Sequence, residues 1–253
     1  MHLATACVGS TPFVPCATIP FGAPSMPILG ILSAVKTHRD EVAGAAALAR
    51  RPLRVARPAD LADVYRNPSK ELSRLEQSGK VVRLAYGFYI AVPDDRIGTD
   101  WRPTLESAGL AIATAMQGDR VPVLMGLGAA RFHRAIPRAV AVTTIAMPSK
   151  RNPIRLSAGG EVVFVARDVD RLEARLERLD LGSGLVTTVE QTAFDLLMRP
   201  GLGGMPAEAA EAVTNLAPRV DAGELQRIAS RHGRMNDAVR ALISRREEAE
   251  DGS

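Results

Sequence analysis

The sequence predicts an α+β fold in two parts: an N-terminal winged helix-turn-helix domain, followed by a larger α+β domain with a small sheet and a helical C-terminal end. Three observations support this prediction. A helix, a turn and a β-hairpin follow one another between Arg66 and Val92. β-rich stretches bounded by Pro and Gly occupy the middle of the chain. Amphipathic helical segments make up most of the sequence after Pro200.

The helix before the hairpin has start and stop signals at the right spacing. Asn67 is a good N-cap, and Pro68 occupies the first helical position, where its missing N–H costs nothing. Leu72 and Leu75 form one apolar stripe, and Gly79 stands where a helix commonly ends. Two strands of a hairpin are predicted next, at Lys80–Leu84 and Phe88–Val92.

Elements upstream complete this unit. Pro58–Tyr65 is predicted to be a short helix, and Leu53–Ala56 a short strand that pairs with the hairpin. Ile28–Ala49 is helical by pattern, as one bent helix or as two, and would pack behind them. A helix, a short connection, a second helix and a hairpin is the order of a winged helix-turn-helix, whose second helix enters the major groove.

The polar face of the second helix carries residue types that bind DNA. Lys and Arg contact phosphates or guanine edges, Gln pairs with adenine, and Ser suits either, although any solvated helix face has a similar composition. The helix residues would lie in the major groove, and the hairpin residues would hold the wing on the backbone or minor groove. The predicted DNA-binding residues are Arg66, Asn67, Ser69, Lys70, Ser73, Arg74, Gln77, Lys80, Arg83 and Tyr86.

The surplus positive charge of the chain lies in the same unit. Residues 50–90 contain nine Lys or Arg and four Asp or Glu, whereas the whole chain contains 32 and 28. The rest of the chain therefore has 23 basic and 24 acidic residues. Local positive charge is what sequence-independent binding to phosphates requires. Aromatic residues make up only 4% of the chain, which argues against a stacking platform for single strands.

The domain boundaries follow from changes in composition. We predict a flexible leader at 1–25, the winged helix-turn-helix DNA-binding domain at 26–93, a polar linker at 94–103, the α+β domain at 104–246 and an acidic tail at 247–253. The leader lacks the basic n-region and apolar h-region of a signal peptide. Regular pattern begins just after Met26, which is a second candidate for the natural start.

The second domain is predicted to mix helices and strands. Helices are expected at Thr104–Met116, Pro122–His133, from the capping box at Thr188 to Pro200, and at Pro206–Leu216, Asp221–Arg231 and Met235–Arg246. Strands are expected at Ala139–Met147, Glu161–Ala166 and Leu185–Val189, whereas Arg171–Leu179 fits a helix or a strand. Trp101, in the linker, is expected to pack at the junction of the two domains.

Composition predicts a cytoplasmic protein without a membrane partner. The two cysteines, Cys7 and Cys16, lie in the leader, so no disulfide framework is expected and a reducing compartment is the default. No run of about 18 apolar residues is present, so no transmembrane helix is predicted. The four histidines are scattered, and no Cys or His cluster has metal-ligand spacing, so no metal site is expected.

The sequence lacks the complete motifs of three enzyme classes, so no catalytic residue and no cofactor are predicted. None of the four lysines follows an Asp or Glu by two positions, as a metal-dependent nuclease would require. Asp168-Val-Asp170 precedes Gly182-Ser183, the reverse of the order in nucleotidyltransferases. The glycine clusters at Gly126 and Gly201 lack the third glycine and the Lys-Ser/Thr of phosphate-binding loops.

Four stretches in order resemble the AbiEi-type antitoxins, the transcriptional-regulator half of type IV (abortive-infection) toxin–antitoxin systems. They are LEQSGKVVRLAYGFYIAVP in the wing, GLGAARFHRAIPRAVAVTT, VVFVARD and VTTVEQTAFDLLMRPGLGG. The resemblance covers about Met26 to Arg246. Where the family more often has Arg or Lys before the wing glycine, this chain has Tyr86.

The resemblance implies a bacterial cytoplasmic, nucleoid-associated antitoxin and transcriptional autorepressor. Such a protein binds inverted repeats in double-stranded DNA of its own promoter. It also counteracts a cognate nucleotidyltransferase-like toxin through its C-terminal domain, often without a stable complex. Two alternatives stay open: a winged-helix repressor whose C-terminal domain senses a small ligand without a toxin partner, and an enzyme of unrecognised type.

Overall fold

The computed structural model describes residues 44–251, which form a mixed α+β structure. The predicted leader, Met26 and most of the predicted helix Ile28–Ala49 lie outside the described residues; residues 44–49 of that helix are described and are helical (α1). The other helices are α2 (Pro68–Gln77), α3 (Leu105–Gln117), α4 (Gly126–Phe132), α5 (Val189–Met198), α6 (Pro206–Leu216), α7 (Ala222–His232) and α8 (Asp237–Asp251).

The described strands form two sheets. A small antiparallel sheet has the order β1-β3-β2, and a six-stranded mixed sheet has the order β6-β7-β5-β4-β9-β8. The β5–β7 and β4–β9 pairs are parallel, and the other pairs are antiparallel. The strands are β1 (Val55–Ala56), β2 (Val81–Ala85), β3 (Phe88–Ala91), β4 (Val123–Met125), β5 (Val142–Met147), β6 (Ile154–Arg155), β7 (Glu161–Ala166), β8 (Ala174–Leu179) and β9 (Gly182–Thr187).

The small sheet confirms the predicted hairpin and its third strand. Strand β1 pairs with β3 through Val55 opposite Ile90, so the third strand lies beside the second strand of the hairpin. The register of β2 against β3 shifts between Arg83 and Ala85. Such a bulge places two consecutive residues on one side of the strand, and Leu84 and Ala85 are accordingly both buried.

The segment predicted as a helix at Pro58–Tyr65 is a 3₁₀ helix of four residues, Pro58–Leu61, followed by a turn. The apolar side of this segment is short, because Leu61 is buried whereas Ala62 is exposed. A two-turn helix needs a longer buried stripe to be stabilised by packing. The Asp60 side chain, which accepts a hydrogen bond from the Arg57 backbone N–H at 2.9 Å, holds the short turn instead.

The segment Pro122–His133, predicted as one helix, is a strand followed by a helix. Strand β4 lies between β5 and β9 and is buried along its whole length. A strand buried on both faces is a continuous apolar run, which periodicity does not distinguish from a buried helix. Gly126 has a φ of +52°, a left-handed conformation that glycine adopts without strain, where the chain passes from β4 into α4.

The remaining segments mostly follow the sequence pattern. The ambiguous Arg171–Leu179 becomes strand β8, which pairs with β9. The helices predicted after Pro200 are present as α6, α7 and α8. The acidic tail is helical as far as Asp251, so the last helix is longer than predicted, and an Arg246–Glu250 ion pair at 3.5 Å spans one turn of it.

One hydrophobic cluster spans the predicted linker. It joins Leu53, Val55, Leu84 and Ile90 of the N-terminal unit to α3 and to the inner strands of the large sheet. Trp101 is partly buried against this cluster, as predicted. A second cluster packs α4 to α8 together. Part of the N-terminal unit therefore shares a core with the residues described after the linker.

Candidate nucleic-acid interface

Helix α2 has one buried face and one exposed face. Leu72 and Leu75 have no exposed surface and pack in a cluster with Leu61, Val81 and Ala91. Because this cluster also contains residues of β2 and β3, α2 and the hairpin are held in a fixed relation. The polar side chains of α2 consequently face solvent beside the hairpin.

Both ends of α2 are as the sequence predicts. The Asn67 side chain accepts a hydrogen bond from the Lys70 backbone N–H at 3.3 Å, and Pro68 begins the helix. Gly79 follows the helix with a φ of +70°, and the Lys80 backbone N–H closes the end by bonding to the Leu75 carbonyl at 3.0 Å. The Asn67 carboxamide oxygen is thus already used as a cap.

Four of the predicted DNA-binding residues present exposed side chains on α2. They are Ser69, Lys70, Ser73 and Gln77. Arg66, directly before the helix, is exposed as well. Two donors that can reach phosphates, Arg66 and Lys70, therefore flank the N-terminal turn of the helix, where backbone N–H groups add a favourable field for anions.

Arg74 has a partner within the helix. Its Nη2 lies 2.7 Å and its Nε 3.2 Å from Oε2 of Glu71, one turn earlier. Both side chains are about one quarter exposed, at 28% and 26%. A DNA phosphate or guanine edge would have to compete with Glu71 for this guanidinium.

The hairpin presents an aromatic tip. Tyr86 is 89% exposed, and the Arg83 guanidinium carbon lies 5.4 Å from the centre of its ring. This distance is within the range of a cation–π contact. Nε of Arg83 is buried and has no hydrogen-bond partner in the described part of the chain. The contact was not predicted from the sequence, because it depends on the geometry of the hairpin tip.

Several of the arginines counted in the sequence form hydrogen bonds or ion pairs within the chain. Arg54 donates from Nε and Nη2 to the carbonyls of Ala91 and Val92, at 3.1 and 3.2 Å. Arg57 forms an ion pair with Asp60 at 3.0 Å, and Arg51 donates to the Asp60 carbonyl. These guanidinium groups keep their charge but are held against the chain, so fewer of them could reach DNA than the count of residues 50–90 suggests.

Arg57 and Asp60 shift each other's pKa values in opposite directions. Burial alone would raise the pKa of Asp60, but the hydrogen bonds and charge of Arg57 outweigh it and lower that pKa below its ordinary value. The hydrogen bond to Asp60 correspondingly raises the pKa of Arg57. Both groups stay charged at neutral pH, and Arg57 contributes to the fold of the turn before α2.

Between residues 44 and 251, no group of three or more His, Cys, Asp or Glu side chains is placed to hold a metal ion. No helix of this range is both long and apolar enough to cross a membrane.

The fold has a counterpart among solved structures. The chain is similar to the crystal structure of the RV2827C protein from Mycobacterium tuberculosis, with a TM-score of 0.54 and 21% sequence identity over 81% of this chain and 76% of that chain. The sequence matches no family model. It also matches no curated protein. At this level of identity the similarity establishes a shared fold.

Proposed function

We propose that the protein is a DNA-binding antitoxin that represses its own operon. The observation that carries the DNA-binding part is the exposed polar face of α2 beside the hairpin, with Lys70, Ser73 and Gln77 at helical spacing. The order α1, 3₁₀ turn, α2 and hairpin, with β1 beside β3, fits a winged helix-turn-helix. In that motif α2 would enter the major groove.

The wing would contact the DNA backbone or minor groove beside α2. Tyr86, at the tip, offers a hydroxyl that could donate to a phosphate, and Arg83 lies against its ring. Phosphate contacts by Arg66 and Lys70 would position the helix, and Ser73 and Gln77 would supply base contacts. The predicted ligand is double-stranded DNA with inverted repeats, in the promoter of the protein's own operon.

The antitoxin part of the proposal is supported by the resemblance to AbiEi-type antitoxins. The stretches that carry it in the C-terminal part form a continuous structural region: the segment from α4 to β5, strand β7 with Arg167 and Asp168, and α5 with the turn after it. This region would counteract a nucleotidyltransferase-like toxin encoded by the neighbouring gene.

DNA binding is tested with the full-length protein and a labelled fragment of its own promoter. We expect affinity to fall as salt rises, with a log–log slope of roughly −0.9 for each phosphate neutralised. Lys70→Ala should weaken binding and make the slope shallower by about one unit. Arg175→Ala, on the exposed face of β8, is the matched control. A promoter fragment bound no better than unrelated DNA would refute operator recognition.

The antitoxin function is tested by co-expression with the adjacent gene. The full chain should restore growth when that gene is toxic. A toxic neighbour that the full chain does not counteract would refute the antitoxin part and leave the DNA-binding part intact.

A further inference from the structure

A cavity of about 300 Å³ lies in the C-terminal part of the chain, away from the residues proposed to bind DNA. It is formed where the end of β7, the turn after it, α5 and the end of α7 meet. The polar residues that line it are Arg167, Arg171, Asp195, Arg199, His232 and Arg234. Its volume is at the lower end of the range for small-molecule sites, roughly 300–1,000 Å³.

The lining is strongly cationic. Four arginines face a single carboxylate, Asp195, and Arg167 is the arginine that pairs with it, with Nη2 to Oδ1 at 3.1 Å. In the described part of the chain, Arg171, Arg199 and Arg234 form no ion pair with any carboxylate. Arg171 donates instead to the backbone carbonyl of Arg231.

Glu173, two residues after Arg171, already has a partner. It forms an ion pair with Arg231 at 2.6 Å, and Arg231 is not one of the arginines that line the cavity. Arg171, Arg199 and Arg234 are exposed, so their guanidinium groups are accessible at the mouth. Guanidinium groups bind phosphate oxygens in pairs of parallel hydrogen bonds, which favours phosphate over a single-point anion.

The base of the cavity holds a hydrogen-bond acceptor without a partner. Oδ1 of Asp195 accepts from Arg167 and, at 3.2 Å, from Nε2 of Gln191. Oδ2 of the same carboxyl is buried and accepts no hydrogen bond from the described residues, although the side chain is only 1% exposed. A buried polar atom of this kind needs a donor, because an unsatisfied buried acceptor destabilises the folded chain.

An aromatic pair forms another wall. The His232 ring stacks on Phe194, with ring centres 5.2 Å apart and planes 15° from parallel. Burial lowers the pKa of His232, and the nearby charges of Arg167 and Arg171 lower it further. The imidazole is therefore neutral at pH 7 and adds a flat, uncharged surface beside the guanidinium groups.

We infer that this cavity binds a small phosphate monoester that also carries N–H or O–H donors, of the size of a nucleoside monophosphate. The phosphoryl group would lie between Arg171, Arg199 and Arg234 at the mouth. A donor on the remainder of the ligand would bind Oδ2 of Asp195. The cavity is too small for a dinucleotide cofactor. This inference does not depend on the proposed DNA-binding or antitoxin function.

The experiment is calorimetric titration of the full-length protein with AMP, GMP, CMP, UMP and inorganic phosphate. At least one nucleotide should bind at least tenfold more tightly than inorganic phosphate. The double variant Arg199→Gln/Arg234→Gln should weaken that binding at least tenfold, and because both side chains are exposed it should keep the fold. Arg175→Gln, an exposed arginine outside the cavity, is the matched control and should bind like the unaltered protein.

Three results would overturn the inference. They are the absence of binding by all four nucleotides, a preference for inorganic phosphate, and nucleotide binding that survives unchanged in the double variant. Promoter binding is measured in the same variants. If the double variant loses affinity for duplex DNA while no nucleotide binds, the arginines contact nucleic-acid phosphates and the small-ligand inference is wrong. If nucleotide binding is lost and promoter binding is unchanged, the cavity is a separate site.

Discussion

The Glu71–Arg74 pair allows a sharp test of how α2 would contact DNA. Arg74 reaches DNA only by leaving Glu71, from which its Nη2 is 2.7 Å distant. Since both side chains are partly exposed, the pair contributes about 0.2–1 kcal/mol, which is the range for solvent-exposed ion pairs. Replacing Glu71 by Gln removes this competitor and a negative charge near the phosphates. We therefore expect Glu71→Gln to bind promoter DNA about 1.4- to 5-fold more tightly.

The same competition limits what Arg74 can contribute. A bidentate contact from arginine to guanine contributes about 1–3 kcal/mol, from which the lost pairing with Glu71 must be subtracted. We expect Arg74→Ala to weaken promoter binding by about 1 kcal/mol, or roughly fivefold. In the double variant the benefit of Glu71→Gln should largely disappear, because the arginine that it releases is absent.

Fluorescence anisotropy with labelled promoter DNA measures all four proteins of this double-mutant cycle. Titrations at several salt concentrations separate the two effects of Glu71→Gln. A general charge effect shrinks with salt and persists without Arg74, whereas release of Arg74 requires Arg74. Unchanged affinity in Arg74→Ala, or weaker binding by Glu71→Gln, would refute this account of the helix face.

Three further predictions concern stability and the wing. Leu75→Ala should lower the free energy of unfolding by about 2–5 kcal/mol in urea denaturation, because Leu75 is fully buried, whereas Ser73→Ala should change it by less than about 0.5 kcal/mol. Tyr86→Ala, at an 89% exposed position, should weaken promoter binding by about 0.5–1.5 kcal/mol in anisotropy titrations and leave stability unchanged; a loss of stability would mean that the ring supports the fold. Burial raises the pKa of Asp195 to about 6 despite the opposing charge of Arg167, so its contribution to stability is present below the unfolded pKa near 4 and is lost as pH rises through 6. Between pH 4.5 and pH 7, the free energy of unfolding measured in urea should fall by on the order of 2 kcal/mol more in the unaltered protein than in Asp195→Asn. Equal changes in both proteins would contradict this prediction.

Elements defined by local chemistry could be predicted from the sequence. Asn67 and Thr188 cap α2 and α5 as expected, because a cap binds a backbone N–H three residues away and needs no tertiary partner. Strand β7 was predicted with its observed bounds, Glu161–Ala166, because glycines precede it and β-branched residues fill it. Such signals act within a few residues and are readable without a structure.

Elements defined by distant partners could not be predicted. Strand β4 exists because β5 and β9 bond to it on either side, and its three apolar residues alone resemble the start of a helix. The Pro58–Leu61 turn is shorter than the predicted helix because Leu61 packs in the core but Ala62, directly after it, is exposed to solvent. Packing, which the local pattern does not contain, decided both segments.

Some features of the candidate DNA interface could likewise be predicted from the sequence, and others could not. The exposure of Lys70 and Gln77 follows from the positions of the leucines, and the structure has both side chains in solvent. A count of charges, however, does not say that Arg54 binds carbonyls of the hairpin. The arginine-lined cavity gave no sequence signal either, because Arg167 and Arg234 are far apart in the chain and belong to no motif.

The shared hydrophobic cluster limits how the chain can be divided for experiments. Leu53, Val55 and Leu84 are buried in a core that includes α3, and the Leu84 carbonyl accepts a hydrogen bond from the Ser157 backbone N–H at 2.7 Å. A fragment ending at residue 93 would expose these side chains to water and leave that carbonyl without its partner. Inactive fragments would then report misfolding rather than a division of labour, so point variants of the intact chain are the sounder way to separate DNA binding from any activity of the C-terminal part.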